Sequence, residues 1–297
     1  MSNSKSVVAF VWKIGVAGVV MTFGVMAGAM LASAWGLELP KVPGRVDPTS
    51  STLLLLAGSM AFAAGLAALD AGLAGGRSVR FVVLAAFGVI VHAIGNALEA
   101  SIFSTLGGEL ASLAVRLPST VLGALAVVLL FGRTAGEGAR EKTSVWLDGW
   151  SAGRLSIRLV LAVAAFPLIY FSFGIMIAPI VTPHYQALDF LVIPPLSTIL
   201  TVLSIRSVLL LLASLPVIVL WIRSRGQLVL ALGLGHFVAV GLTDLIQASF
   251  FPAILRWTHG AEILADSFVY ALALVWLLVP RTAHEYEKTT TMLEQPV

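Results

Sequence analysis

Apolar residues run in long stretches separated by short polar intervals, and this alternation dominates the chain. The stretches lie near residues 7–35, 51–75, 79–105, 110–132, 157–181, 195–222, 227–250 and 255–280. Each holds about 20 or more mainly apolar residues, enough at 1.5 Å rise per residue to cross a hydrocarbon layer about 30 Å thick. Inside lipid the backbone has no other hydrogen-bond partners, so each stretch is expected to be helical. Turn signals stand between them at Gly75-Gly76-Arg77, Leu106-Gly107-Gly108, Arg223-Ser224-Arg225-Gly226 and Phe251-Pro252. The pattern predicts an all-α integral membrane protein of eight transmembrane helices. The first stretch is too long for a signal-peptide core and is read as a span.

Short strings recur about 148 residues apart in the same order. Met21-Thr-Phe-Gly-Val-Met26 returns as Phe171-Ser-Phe-Gly-Ile-Met176, and Asn96-Ala-Leu-Glu-Ala-Ser-Ile-Phe103 as Asp244-Leu-Ile-Gln-Ala-Ser-Phe-Phe251. Arg133-Thr-Ala-Gly-Glu137 returns as Arg281-Thr-Ala-His-Glu285, after the last span of each half. An ordered repeat of this kind predicts duplication. The expected division is a four-helix repeat at 1–140, a cytoplasmic linker at 141–154, a second four-helix repeat at 155–283 and a cytoplasmic tail at 284–297. An even number of spans per repeat gives both halves one orientation, related by a pseudo-twofold axis along the membrane normal.

Composition fits this picture. Hydrophobic residues make up 59% and charged residues 11%, against about 25% charged in a soluble domain. No polar interval is long enough for a soluble domain. The lack of cysteine excludes disulfides, thiolate metal sites and cysteine nucleophiles.

Lys and Arg fall unevenly between the loops. With both termini cytoplasmic, Lys5, Arg77, Arg80, Arg133, Arg140, Lys142, Arg154, Arg158, Arg223, Arg225, Arg281 and Lys288 lie inside, and only Lys41, Arg45 and Arg256 lie outside. That bias predicts the orientation in a cell membrane. It also explains the pI near 9.4 as a topology signal, with no nucleic-acid patch.

Polar residues inside the spans are the candidate chemistry, because an unpaired charge at the bilayer centre costs at least about 2.5 kcal/mol. His92, Asn96 and Glu99 share one helical stripe, and His259, Glu262, Asp266 and Tyr270 share another. Asp244 and Gln247 lie beyond His236 on the seventh span, and Arg116 and Arg206 supply opposite charge from the fourth and sixth. Glu99, Asn96, Asp244, Gln247, Arg116, His259, Glu262 and Asp266 are expected in the outer half, where they can converge on a pocket, with Arg206 near mid-membrane. Lys13 and Asp70 read as a separate structural ion pair near the inner face, and Gly24-x-x-x-Gly28 as a close helix contact.

The leading expectation is transport of a small polar solute or cation, coupled to protons or another ion. Glu99, Asn96, Asp244, Gln247, Glu262 and Asp266 would bind substrate or ion, Arg116 and Arg206 would balance charge, and His92 and His236 would relay protons. One alternative makes His259, Glu262 and Asp266 metal ligands of a membrane-embedded hydrolase acting on a lipid-type substrate. Another makes the chain a non-catalytic anchor within a membrane complex. Haem ligation by His92 and His236 ranks below these, since the repeat sets the two about one turn out of register. Cofactors and oligomeric state, whether a homo-oligomer or a complex with another membrane protein, are left open by the sequence.

Overall fold

The computed structural model describes residues 2–41, 43, 47–131 and 138–280, with side chains from residue 7 onward. It is helical throughout: α1 Ser2–Ala34, α2 Pro48–Asp70, α3 Arg77–Phe103, α4 Glu109–Leu130, α5 Ala139–Asp148, α6 Ala152–Ala187, α7 Leu196–Val219, α8 Arg225–Gln247 and α9 Ala253–Leu278. All except α5 are long and apolar enough to cross a membrane, which gives 8 spans. The chain is a polytopic membrane protein on that count.

Local chemistry sets the helix ends. Asp47 caps α2 by accepting the Ser50 amide at 2.7 Å, and this backbone hydrogen bond holds its carboxyl below the usual aspartate range. Ser224 and Gln227 form a reciprocal capping box at the start of α8. The second span stops at Asp70, short of the expected 75. Leu73, read as membrane apolar, instead pairs with Trp221 in an isolated antiparallel bridge. There Ala74 N donates to Leu220 O at 2.8 Å, and Ile222 N donates to Gly72 O at 3.0 Å.

The central layer is α2, α3, α7 and α8, with α2 packed on α8 and α3 on α7. Fully buried Phe62, Leu66, Leu69, Leu84, Phe87 and Leu232 fill it. On one side α1 lies against α4, and on the other α6 lies against α9. The first of these contacts is very close. A Cβ on Gly24 would stand 2.5 Å from Ser119 Cα, and one on Gly28 would stand 2.6 Å from Val115 Cα. The glycines are therefore backbone contacts, as their spacing predicted. Helix α6 contrasts with them: it is long, contains Pro167, Pro179 and Pro183, and is the least buried of the spans.

Two local readings change. Asp70 takes Arg80 as its ion-pair partner, both side chains being buried, while Lys13 stands over the Phe131 ring at 5.2 Å. Arg80 is thus a core residue rather than a loop cation. The expected linker at 141–154 is largely the helix α5, anchored by Trp146, whose Nε1 donates to Leu278 O at 2.8 Å. Arg158 and Arg225 donate to Leu277 O and Pro280 O at 2.7 Å each, satisfying carbonyls at the end of α9. The repeated strings at 133–137 and 281–285, the side chain of Lys5, Arg45, Lys288 and the tail at 284–297 lie outside the described residues.

Candidate functional site

Helices α3 and α8 each lose their regular winding at mid-span, and the site grows from that fact. Val89–Gly95 of α3 and Val238–Leu242 of α8 are π-helical. Widening the turn disturbs the ladder of backbone hydrogen bonds and leaves carbonyls to be satisfied by side chains. Ala239 O accepts Asn96 Nδ2 at 3.1 Å and lies 3.0 Å from His92 Nδ1. His92 O accepts Arg116 Nη1 at 3.2 Å, and Val238 O accepts the Thr243 hydroxyl at 2.9 Å. The two disturbed turns thus face each other across the centre and are tied together by polar side chains.

Ion pairs continue the network. Asp244 Oδ2 accepts Asn96 Nδ2 at 2.8 Å and Arg116 Nη1 at 2.9 Å. Glu99 Oε2 lies 2.9 Å from Arg206 Nη2, and the Arg206 guanidinium also stands 5.9 Å from the Phe166 ring. Each pair joins one half of the chain to the other. Adjacent antiparallel helices α3 and α4 would bring Glu99 to Arg116, and would leave the mid-membrane Arg206 to Glu262 or Asp266. Glu99 and Arg116 instead both turn away from their own half, because the opposite half presents Arg206 and Asp244 at the cavity wall.

All the candidate site residues named from the sequence, Lys13 and Asp70 apart, border one cavity of about 730 Å³. It reaches from Leu39, Phe103 and Phe251, near the loops opposite the basic end, down to His236 and Tyr270. His236 Nε2 shares a hydrogen bond with the Ser214 hydroxyl at 2.9 Å, and Gln247 packs on Gly58, where an added Cβ would stand 2.6 Å from Nε2. His259 Nδ1 lies 2.8 Å from Glu262 Oε2, and its Nε2 lies 3.3 Å from the Tyr185 hydroxyl.

Asp266 does not join that pair in a ligand set. Among the described residues no three His, Cys, Asp or Glu side chains gather closely enough to hold a metal ion. The expected triad of His259, Glu262 and Asp266 therefore reduces to one His–Glu contact. The i, i+4 spacing puts Glu262 and Asp266 on one face of α9, but no third ligand completes a metal-holding group there among the described residues.

Several buried polar atoms on the wall lack a partner: Asn96 Oδ1, His236 Nδ1, Asp266 Oδ1 and the Tyr270 hydroxyl. Buried polar groups are nearly always satisfied, so a cluster of exceptions marks where a ligand or water belongs. Sequence reading missed the aromatic wall beside them. Phe166 stands edge-on to Tyr270 at 5.4 Å between ring centroids, and Tyr170 follows at 6.3 Å. Nothing in the spacing of α6 distinguished these rings from lipid-facing ones. Comparison with protein-family models, curated proteins and solved structures finds no match for this chain.

Proposed function

We propose that the chain is a duplicated four-helix unit that carries a small polar solute or cation across a cell membrane through this cavity. The observation that carries the reading is the cavity itself, enclosed between the two halves and lined by buried polar atoms left without partners. Duplication is supported by contacts between equivalent positions. Residues 73 and 221, which form the bridge, and residues 96 and 244, which share a hydrogen bond, are each 148 apart. The basic loops face the cytoplasm by the positive-inside rule, so the cavity is entered from the outer face.

In this reading Asp266 and Glu262 bind the cargo. Arg116 and Arg206 pair with Asp244 and Glu99 and so do not compete for it, and Asn96 and Gln247 orient polar groups. His92 and His236 line the same cavity and would carry the protons. An exchange of cargo for protons follows from elementary electrostatics, since a buried carboxylate without a partner must take up a proton or a cation.

The test is charge movement in proteoliposomes on a solid-supported membrane, challenged in turn with small polar solutes and cations. At least one should give a saturable transient that falls by about tenfold or more in Asp266→Asn and Glu262→Gln, with both variants eluting as folded protein. Full currents in both variants would overturn the assignment.

A further inference from the structure

The charges and rings around the cavity narrow the cargo class. Its wall carries four carboxylates, Glu99, Asp244, Glu262 and Asp266, against two guanidiniums, Arg116 and Arg206. Glu99 and Asp244 are each compensated by an arginine, and Glu262 has His259 beside it. Asp266 is 7% exposed, makes no ion pair among the described residues and has an unpartnered Oδ1. Asp266 is therefore the one wall carboxylate with no ion-pair partner among the described residues.

Two features choose between kinds of cation. A bare divalent ion needs about six or more oxygen ligands in the hard-cation case, or several converging His and carboxylate groups otherwise. No such group of three gathers among the described residues. The wall near Asp266 is instead aromatic. Phe166 meets Tyr270 edge to face, Tyr170 lies tilted beside Phe166, and the His236 ring continues the row at 5.7 Å from Tyr270. Aromatic faces attract alkylammonium groups that have weak hydration shells. The volume of about 730 Å³ also exceeds what one inorganic ion needs and suits a compact organic molecule.

We infer that the cargo is an organic ammonium ion, with its charged head at Asp266 and Glu262 and its hydrocarbon body against Phe166, Tyr170 and Tyr270. The Tyr270 hydroxyl, 1% exposed and unpartnered, supplies a further acceptor for an ammonium N–H. This assignment rests on the transport reading for its purpose, but equilibrium binding tests it separately from flux.

The experiment is calorimetric titration of the full chain in lipid nanodiscs, with empty nanodiscs as blank. The probes are phenethylammonium, tetraethylammonium, 2-phenylethanol, phenylacetate, sodium and calcium. At least one of the two ammonium ions should bind saturably, about tenfold or more tighter than the neutral alcohol of similar shape, with phenylacetate weaker still. Asp266→Asn should weaken that binding by about tenfold, and Phe166→Leu by several-fold. The probe series on the unmodified protein decides the matter even where a variant fails to fold. No saturable binding of either ammonium ion, equal binding of 2-phenylethanol or phenylacetate, or binding of sodium or calcium alone would overturn the inference. Ammonium binding without charge movement would sink transport and leave the site. Charge movement with neutral solutes or metal ions, without ammonium binding, would do the reverse.

Discussion

Arg206 and Glu99 show how unequal the two members of an intramembrane ion pair can be. The arginine is 3% exposed and the glutamate 32% exposed, although their charged atoms lie 2.9 Å apart. Removing the glutamate charge strands a guanidinium in the core, where an uncompensated charge costs about 3–5 kcal/mol. Removing the arginine leaves a carboxylate that water in the cavity still reaches, and solvent screening reduces that loss to about 1–2 kcal/mol. Glu99→Gln is therefore expected to destabilise more than Arg206→Met, which also keeps an apolar contact with Phe166. Unfolding midpoints in mixed micelles check this, and equal losses or the reverse order would contradict it. The asymmetry also fits the proposed roles, with the arginine as fixed scaffold and the glutamate at the accessible wall.

Among the helices, α1 and α6 open the two proposed repeats but pack differently. At Gly24 and Gly28 a Cβ would lie under 3.0 Å from backbone atoms of α4, which cannot yield without moving the helix. Gly174, the counterpart of Gly24 in the repeated string, faces only Glu262 Oε1 at 3.6 Å, an ordinary contact. Gly28→Ala should accordingly cost about 1–3 kcal/mol through overpacking, while Gly174→Ala should leave the unfolding midpoint nearly unchanged. Equal sensitivity at both positions would refute the contrast.

The Gly24-x-x-x-Gly28 spacing made the first contact legible, because small residues one turn apart recur where helix backbones meet. The positions of the spans were legible for a similar reason, since lipid imposes both length and composition. The gathering of His92, Asn96, Glu99, Asp244, Glu262 and Asp266 at one cavity followed from the high cost of facing lipid. Pairing was not legible. Which guanidinium meets which carboxylate depends on helix rotation and on the π-helical turns at Val89–Gly95 and Val238–Leu242, and no residue type encodes those. Leu73 was misread because an apolar residue in a tight bridge looks like one more membrane residue.

Across the whole molecule, the two halves meet at three levels. At the basic end Leu73 pairs with Trp221, at the centre Asn96 meets Asp244, and near the opposite end Ser104 pairs with Leu191. The first two join equivalent positions of the proposed repeat, as contacts on a pseudo-twofold axis would. The third does not: position 104 pairs with 191, and Thr105 N donates to Phe190 O while Val192 N donates to Phe103 O at 3.0 Å each. The contact that departs from the proposed symmetry thus lies at the end where the cavity begins. Alternating access requires that one end close as the other opens, so a contact between the halves at the cavity mouth must change during the cycle if the halves rock.

The lack of native cysteine allows a clean test. Ser104→Cys with Leu191→Cys should form a disulfide under mild oxidation, since the residues face each other in an antiparallel bridge. The cross-link should suppress cargo-dependent current by about tenfold or more, and reduction should restore it. Ammonium binding should persist in the cross-linked protein, because Asp266 and its aromatic wall lie below the staple on α6 and α9. Full current with the disulfide closed would show that the mouth does not move in this way, and loss of binding together with current would mean that the staple distorts the site rather than blocking the cycle.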